Sequence, residues 1–255
     1  MFFAEGLSNQ VMGVHSVAGF SEPVSSWMHL VGALGFAVAS VYLLRRGKNH
    51  RCRVAALGVF ACSGVLLLSI SGVYHMLADG GAPRSVFLRL DKAAIFVLIA
   101  GTVTPIQGIF FTGIARWGVI GLMWILAASG IAVFMTYFDQ LPRGTGTATY
   151  LAMGWVAGLS VIVLWRRHGF AFIWPVVLGG VIYTVGAVVA GFNWPTLLPG
   201  VFGAHELWHF AVLAALACHW TFIYRNAASG SGGLADGVGG SADPVGADGE
   251  VHRMG

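Results

Sequence analysis

Charged residues are scarce in this sequence: Asp, Glu, Lys and Arg make up only 9% of its 255 residues. Soluble domains carry roughly 25% charged residues, so this chain has too few polar groups to cover a water-exposed surface. Its hydrophobic fraction is 57% and its mean hydropathy is +0.79. A soluble globular domain is therefore excluded. The net charge of +4 comes from short basic clusters rather than from a basic domain, so no nucleic-acid partner is expected.

Cysteine is also rare. Cys52, Cys62 and Cys218 form no C-x-x-C pair and no even-numbered framework, so nothing suggests disulfide bonds. The first 20 residues lack the basic segment of a cleaved signal peptide, and none is expected.

Long apolar runs are abundant. Each spans about 20 residues, enough to cross a hydrocarbon core of ~30 Å, and is too uniformly apolar for a barrel strand. A backbone in lipid must satisfy its own hydrogen bonds, which favours helices. The sequence predicts an all-α, polytopic membrane protein with a seven-transmembrane helix bundle. The predicted spans are 26–44, 54–76, 89–111, 116–136, 148–165, 171–191 and 203–224.

Three parts follow along the chain. Residues 1–24 form an N-terminal segment, and 25–225 form the seven-helix transmembrane domain with an intramembrane metal site. Residues 226–255 are rich in Gly, Ala, Ser and Asp without periodicity, so this C-terminal tail is predicted to be disordered.

Basic residues are distributed unequally between the two membrane faces. The excess marks the cytoplasmic side, which puts the N-terminus outside and the C-terminus inside the cell. The side with the excess carries Arg45, Arg46, Lys48, Arg51, Arg53, Arg116, Arg166, Arg167 and Arg225. The opposite side carries only Arg84, Arg89, Lys92 and Arg143.

Histidines occur at span ends that share one membrane face. His205 and His209 begin the seventh span four residues apart, so they lie one turn apart on one helical stripe. Such a pair can bind one metal ion, and His75 at the end of the second span is the natural third ligand. Three ligands leave an open position, as in catalytic zinc sites. Imidazole donors favour Zn²⁺, with iron or another divalent ion as the alternative.

Two further residues are candidates for catalysis. Ser71 shares a helical face with His75, and Asp91 begins the third span at the same membrane face. A plain salt bridge with Arg89 or Lys92 is the alternative explanation for Asp91. Residues 205–209 also spell the zincin signature H-E-x-x-H around Glu206, but no suitable downstream ligand follows, which disfavours a protease.

Five motifs occur in order at the expected spans. They are EPVSSWMHLVG (22–32), SGVYH (71–75), LDKAAIFVLIAGTVTP (90–105), YTVGAV (183–188) and HELWHFAVLAALACHW (205–220). Together they resemble the bacterial hemolysin III family, a branch of the progestin and adiponectin receptor superfamily, from residue 22 to about 224.

This resemblance implies a seven-helix bundle in which His75, His205 and His209 hold zinc and the family's Ser and Asp fall on Ser71 and Asp91. It also implies a multi-pass protein of the bacterial inner membrane. The chain departs from the family pattern at Lys92, where histidine is common.

The first functional hypothesis is a membrane-embedded zinc hydrolase of a lipid amide or ester, ceramidase-like by the family resemblance. Asp91 would move the proton of the attacking water, and Ser71 would stabilise the developing oxyanion. Membrane lipids are then both partners and substrates. The alternatives are a membrane receptor or stress regulator with a structural zinc site, and a pore-forming hemolysin. The oligomeric state stays open.

Overall fold

All seven predicted spans are helices in the computed structural model, which describes residues 16 and 20–228. Each is long and apolar enough to cross a membrane, and no strand occurs among residues 20–228. The chain is therefore an all-α, multi-pass membrane protein, as predicted. The helices are α1 (Pro23–Arg46), α2 (Arg51–Met76), α3 (Ala82–Phe110), α4 (Gly113–Tyr137), α5 (Thr145–His168), α6 (Phe170–Phe192) and α7 (Ala204–Asn226). Most of the predicted N-terminal segment and the predicted disordered tail beyond residue 228 lie outside the described residues.

The third helix begins at Ala82, earlier than the predicted start at residue 89. Pro83 occupies its first turn, where a proline costs no hydrogen bond. The polar residues of this turn conceal it from a hydropathy pattern. Among them, Arg84 donates to the carbonyl oxygen of Leu77 at 2.5 Å and so fastens the α2–α3 loop.

The helix α3 occupies the centre of the bundle and is its most buried span. It packs against α2, α4, α5 and α7, while α7 also packs against α6 and α1. The outer faces of α4 and α5 expose large apolar side chains, as lipid-facing surfaces do. Examples are Trp117, Ile125, Trp155 and Leu159.

Small residues let the helices that carry the polar residues approach closely. A Cβ added to Gly72 in α2 would lie 2.7 Å from Leu30 Cγ in α1. At the same crossing the Ser26 hydroxyl donates to the Gly72 carbonyl oxygen at 2.8 Å. Small residues and interhelical hydrogen bonds are the usual means of association in lipid. This crossing brings the start of α1 against the end of α2.

Candidate metal centre

Three histidines meet at one end of the bundle. His75 lies in the last turn of α2, and His205 and His209 lie in the first turns of α7. One ring nitrogen from each lies within 4.8 Å of the other two. The ring centroids are 4.5 to 4.9 Å apart. Nitrogens bound tetrahedrally to one Zn²⁺ lie about 3.3 Å apart, so these rings are close enough to hold one metal ion after small side-chain adjustments.

The hydrogen bonds of His75 and His209 to other residues leave the Nε2 atom of each ring for an ion, whereas His205 Nε2 also lies 3.3 Å from Glu22 Oε2. His75 uses Nδ1 for Glu22, and its buried Nε2 has no partner in the described part of the chain. The Nε2 atoms of His205 and His209 face each other at 3.0 Å. A buried nitrogen without a partner is costly, and such an atom in a native structure requires an explanation. A cation bound by all three Nε2 atoms would satisfy them together, so the residues present fit a metal ion.

Glu22, the residue before α1, holds the His75 ring in place. Its Oε2 atom lies 2.8 Å from His75 Nδ1 and 3.3 Å from His205 Nε2, and its Oε1 accepts a hydrogen bond from the Arg84 guanidinium. Burial alone would raise the pKa of Glu22, but hydrogen bonds from His205 and His75 and their charge hold this pKa well below its ordinary value. The side chain is thus an ionised acceptor, the usual partner for the outer N–H of a metal-bound histidine.

His29 lies beside His209 as Glu22 lies beside His75. Its side chain is 2% exposed, and its Nε2 lies 3.1 Å from His209 Nδ1. The two rings pack edge to face, with centroids 4.3 Å apart. The outer nitrogen of each buried histidine of the trio therefore has a polar partner from the first helix or the residue before it.

The sequence placed Glu22 and His29 at the start of the first span but did not assign them these contacts. A usable signal was present, because residues seven apart lie on nearly the same stripe of a helix. The intervening Ser25 and Ser26 are also fully buried, which extends the polar stripe.

Ser71 and Asp91 are both buried, as a site inside the bundle requires. Among the ion pairs formed within residues 20–228, and among the hydrogen bonds of the histidine rings there, none involves Ser71 or Asp91. The salt bridge considered for Asp91 is absent there, because Arg89 pairs with Asp139 at 2.8 Å instead. The contacts around the histidine rings involve Glu22 and His29 rather than Ser71 or Asp91, so catalytic roles for these two residues stay predictions.

Glu206, the glutamate of the zincin-like string, forms hydrogen bonds that stabilise the start of α7. Glu206 is 2% exposed. Its Oε2 accepts the backbone N–H of Gly203 at 2.8 Å, and its Oε1 accepts the hydroxyl of Ser25 at 3.2 Å. The first contact caps α7, and an acidic group is favourable at a helix N-terminus. Both oxygens of Glu206 therefore have partners outside the histidine trio, as expected for a helix cap and an interhelical hydrogen bond.

Comparison with known proteins identifies the family of this chain. A family model described as haemolysin-III related matches residues 19–220, which include Glu22, His75 and His209. Hemolysin-3 of Bacillus cereus is 31% identical over 194 residues, covering 74% of this chain and 84% of that protein. The ADIPOR-like receptor IZH2 of Saccharomyces cerevisiae is 28% identical over 224 residues, covering 78% and 69%. The human monocyte to macrophage differentiation factor is 26% identical over 198 residues, covering 74% and 79%. The chain belongs to the hemolysin III family, with more distant relatives among adiponectin and progestin receptor-like proteins.

Proposed function

We propose that the three histidines bind Zn²⁺ and that the protein is a membrane-embedded hydrolase of a lipid amide or ester. The convergence of three imidazoles from α2 and α7, with His75 Nε2 lacking any partner among the described residues, is the observation that carries this proposal. Imidazole donors suit Zn²⁺, and three ligands leave a coordination position open. Bound there, zinc supplies a Lewis acid that polarises a carbonyl and lowers the pKa of water.

Side chains of the protein would orient the metal ligands, transfer the proton and stabilise the oxyanion. Glu22 and His29 orient the rings of His75 and His209 through the outer ring nitrogens. A carboxylate oxygen of Asp91 accepts the proton of the attacking water and returns it to the leaving amine or alcohol. No described residue pairs with Asp91, so its oxygens are free for this transfer. The Ser71 hydroxyl donates a hydrogen bond to the developing oxyanion.

Membrane lipid is the substrate class that the surroundings favour. The candidate site lies at one end of a helix bundle whose outer surfaces are apolar, so an acyl chain can approach it from the bilayer rather than from water. The resemblance to the superfamily implies ceramidase-like activity, which makes a ceramide the first amide lipid to test. Fold-level analogy of this kind supports a substrate class and nothing finer.

The hydrolase is tested with purified protein in lipid nanodiscs that contain a ceramide with a fluorescent acyl chain. Asp91→Asn should lower turnover by about 10²–10⁴-fold and leave the zinc content unchanged. Asp139→Asn is the matched control, because Asp139 is an exposed carboxylate paired with Arg89. Full activity of Asp91→Asn would remove the role given to that residue, and no released fatty acid from the wild-type protein would contradict the hydrolase.

A receptor or regulator with structural zinc is the second candidate. It is favoured by polar contacts that join α1, α2 and α7 at the centre, including those of Ser26 with Gly72 and of Ser25 with Glu206. Zinc would then link these helices as well, because the free energy of metal binding adds to the free energy of folding. In this case a chelator should lower the melting temperature strongly, and no lipid product should form.

We further propose that the metal centre faces the non-cytoplasmic side of a bacterial inner membrane, with the C-terminus inside the cell. The support is the unequal distribution of Lys and Arg between the loops. A fluorescent-protein fusion after residue 228 should fluoresce, whereas an alkaline phosphatase fusion at the same position should be inactive. The reverse pair of results would overturn this orientation.

A further inference from the structure

The loop between α6 and α7 differs from the other two loops at the same membrane face. The α2–α3 loop carries Asp79, and the α4–α5 loop carries Asp139 and Arg143. Residues 193–203 contain no Asp, Glu, Lys or Arg. They expose large apolar side chains instead, with exposed fractions of 73% for Trp194 and 60% for Leu198. Leu197 and Val201 are exposed beside them, so four large apolar side chains of one short loop point away from the protein.

The loop satisfies much of its backbone hydrogen bonding internally. Leu198 and Phe202 exchange both N–H···O hydrogen bonds at 2.9 Å. The Leu197 N–H donates to the same Phe202 carbonyl oxygen at 3.0 Å, and the Val201 N–H donates to Leu198 O at 3.0 Å. Buried or lipid-exposed backbone is tolerated only where its polar groups find such partners. This loop therefore presents apolar side chains outward, while several of its N–H and C=O groups form hydrogen bonds with one another in a hairpin-like turn.

The apolar surface of the loop continues that of the neighbouring helices. Val185, Val188 and Phe192 on α6 are exposed, and so is Phe210 on α7. These helices cross the membrane, so their exposed apolar faces contact lipid. An apolar patch of this kind in water would be unfavourable by roughly 25 cal/mol per Å². Tryptophan near span ends also prefers the membrane–water interface.

We propose that the α6–α7 loop inserts Trp194, Leu197, Leu198 and Val201 into the headgroup–acyl boundary of the leaflet beside the histidine centre. Its partner is the bilayer itself. Through Gly203 the loop continues directly into the first turn of α7, which carries His205. Insertion would thus fix the start of α7, and the half-exposed ring of His205, at the membrane surface. The inference needs only that the chain crosses a membrane, and it stands apart from the hydrolase proposal.

The test uses a cysteine-free protein (Cys52→Ala, Cys62→Ala, Cys218→Ala) in phosphatidylcholine vesicles, with one new cysteine labelled by an environment-sensitive fluorophore. Leu198→Cys probes the loop, and Val201→Cys is a second probe in case the first disturbs the turn. Asp79→Cys is the matched control, because Asp79 is exposed in a loop of the same face. Labels at 198 and 201 should be quenched several times more strongly by brominated acyl chains than the label at 79. Aqueous iodide should show the opposite order.

Two results would overturn the proposal. Equal iodide quenching at 198, 201 and 79 would mean that the loop lies in water. Protection of 198 and 201 from both quenchers would mean that protein covers the loop. Repeating the measurement at a much lower protein-to-lipid ratio then identifies the cover, because contact with a second copy is lost on dilution and contact within one chain is not.

Discussion

Two regions of this bundle bring polar side chains of different helices together, and they use them differently. In the histidine end, defined by Glu22, His29, His75, His205 and His209, ring nitrogens converge and His75 Nε2 is left without a partner. In the α3–α5 side, defined by Thr104, Gln107, Trp124, Tyr150 and Ser160, donors meet acceptors in pairs between neighbouring helices. There Gln107 Oε1 is a single oxygen that has no partner, and no cluster of titratable groups around it, among the described residues. Trp124 donates to Thr104 at 3.1 Å, Gln107 to Ser160 at 2.5 Å, and Tyr150 to the Lys92 carbonyl oxygen at 3.0 Å.

This difference distinguishes a region that can bind a cation from a region whose polar groups only hold helices together. A donor facing an acceptor links two helices and needs nothing more. Several nitrogens that face one another with lone pairs need a proton or a cation between them. Substitutions in the histidine end should therefore change metal binding, and substitutions in the α3–α5 side should change only stability.

The largest expected effect comes from a pair of histidines on one helix. His209→Ala should abolish zinc binding, because it removes one of three ligands. His219→Ala, ten residues further along α7, should retain bound zinc, since its buried ring stacks on Tyr183 with centroids 5.8 Å apart. Zinc is measured by isothermal titration of the stripped proteins. Equal affinities for the two variants would contradict the separation of the regions.

A smaller effect is expected at Glu22. Glu22→Gln keeps the shape of the side chain but removes the charge that holds the Nδ1–H of His75. Loss of such an outer partner typically weakens metal binding by about 10–100-fold. Asp139→Asn removes a carboxylate from the same membrane face without touching the rings and should leave the affinity unchanged. If both variants bind zinc as the wild type does, Glu22 has no orienting role.

His29 should matter less than Glu22, because a neutral acceptor is weaker than a carboxylate. His29→Leu should weaken zinc binding by about tenfold, and His29→Gln should recover part of this loss by accepting from His209 Nδ1. The absorption spectrum of Co²⁺ in the site is the second readout, since it reports the geometry of the ligands. An unchanged spectrum and affinity in His29→Leu would show that the ring only fills space.

The smallest effect is expected in the α3–α5 side. Tyr150→Phe removes the hydroxyl that donates to Lys92 O and should lower stability by about 0.6 kcal/mol, a typical value for a hydrogen bond between membrane helices. Zinc affinity should not change. Reversible unfolding in mixed micelles measures the first quantity and titration the second. A marked loss of zinc binding would show that the two regions are coupled.

Features that depend on neighbouring residues in the sequence could be predicted, whereas contacts between distant residues mostly could not. The seven spans could be predicted because hydropathy is a local property. The histidine trio could be predicted because His205 and His209 share a helical stripe and alternating spans bring His75 to the same face. The shared stripe of Glu22 and His29 is visible in the sequence, but the partners of these two residues are not, since they depend on how α1 packs across Gly72. The early start of α3 was hidden for a similar reason, because Arg84 is stabilised by partners from elsewhere in the chain.

Glu206 gives the opposite lesson. Residues 205–209 spell a zincin signature that the sequence already disfavoured for lack of a downstream ligand, and Glu206 contacts Gly203 and Ser25 instead. A motif read along one helix cannot specify which of its polar side chains face the neighbouring helices.

X-ray absorption at the zinc edge, with the metal content of the purified protein, tests the central idea most directly. The wild-type protein should contain zinc with three imidazole nitrogens at about 2.0–2.1 Å. The combined variant His75→Ala, His205→Ala and His209→Ala should contain none. A wild-type protein without a transition metal, or a combined variant that keeps its zinc, would contradict the proposed centre.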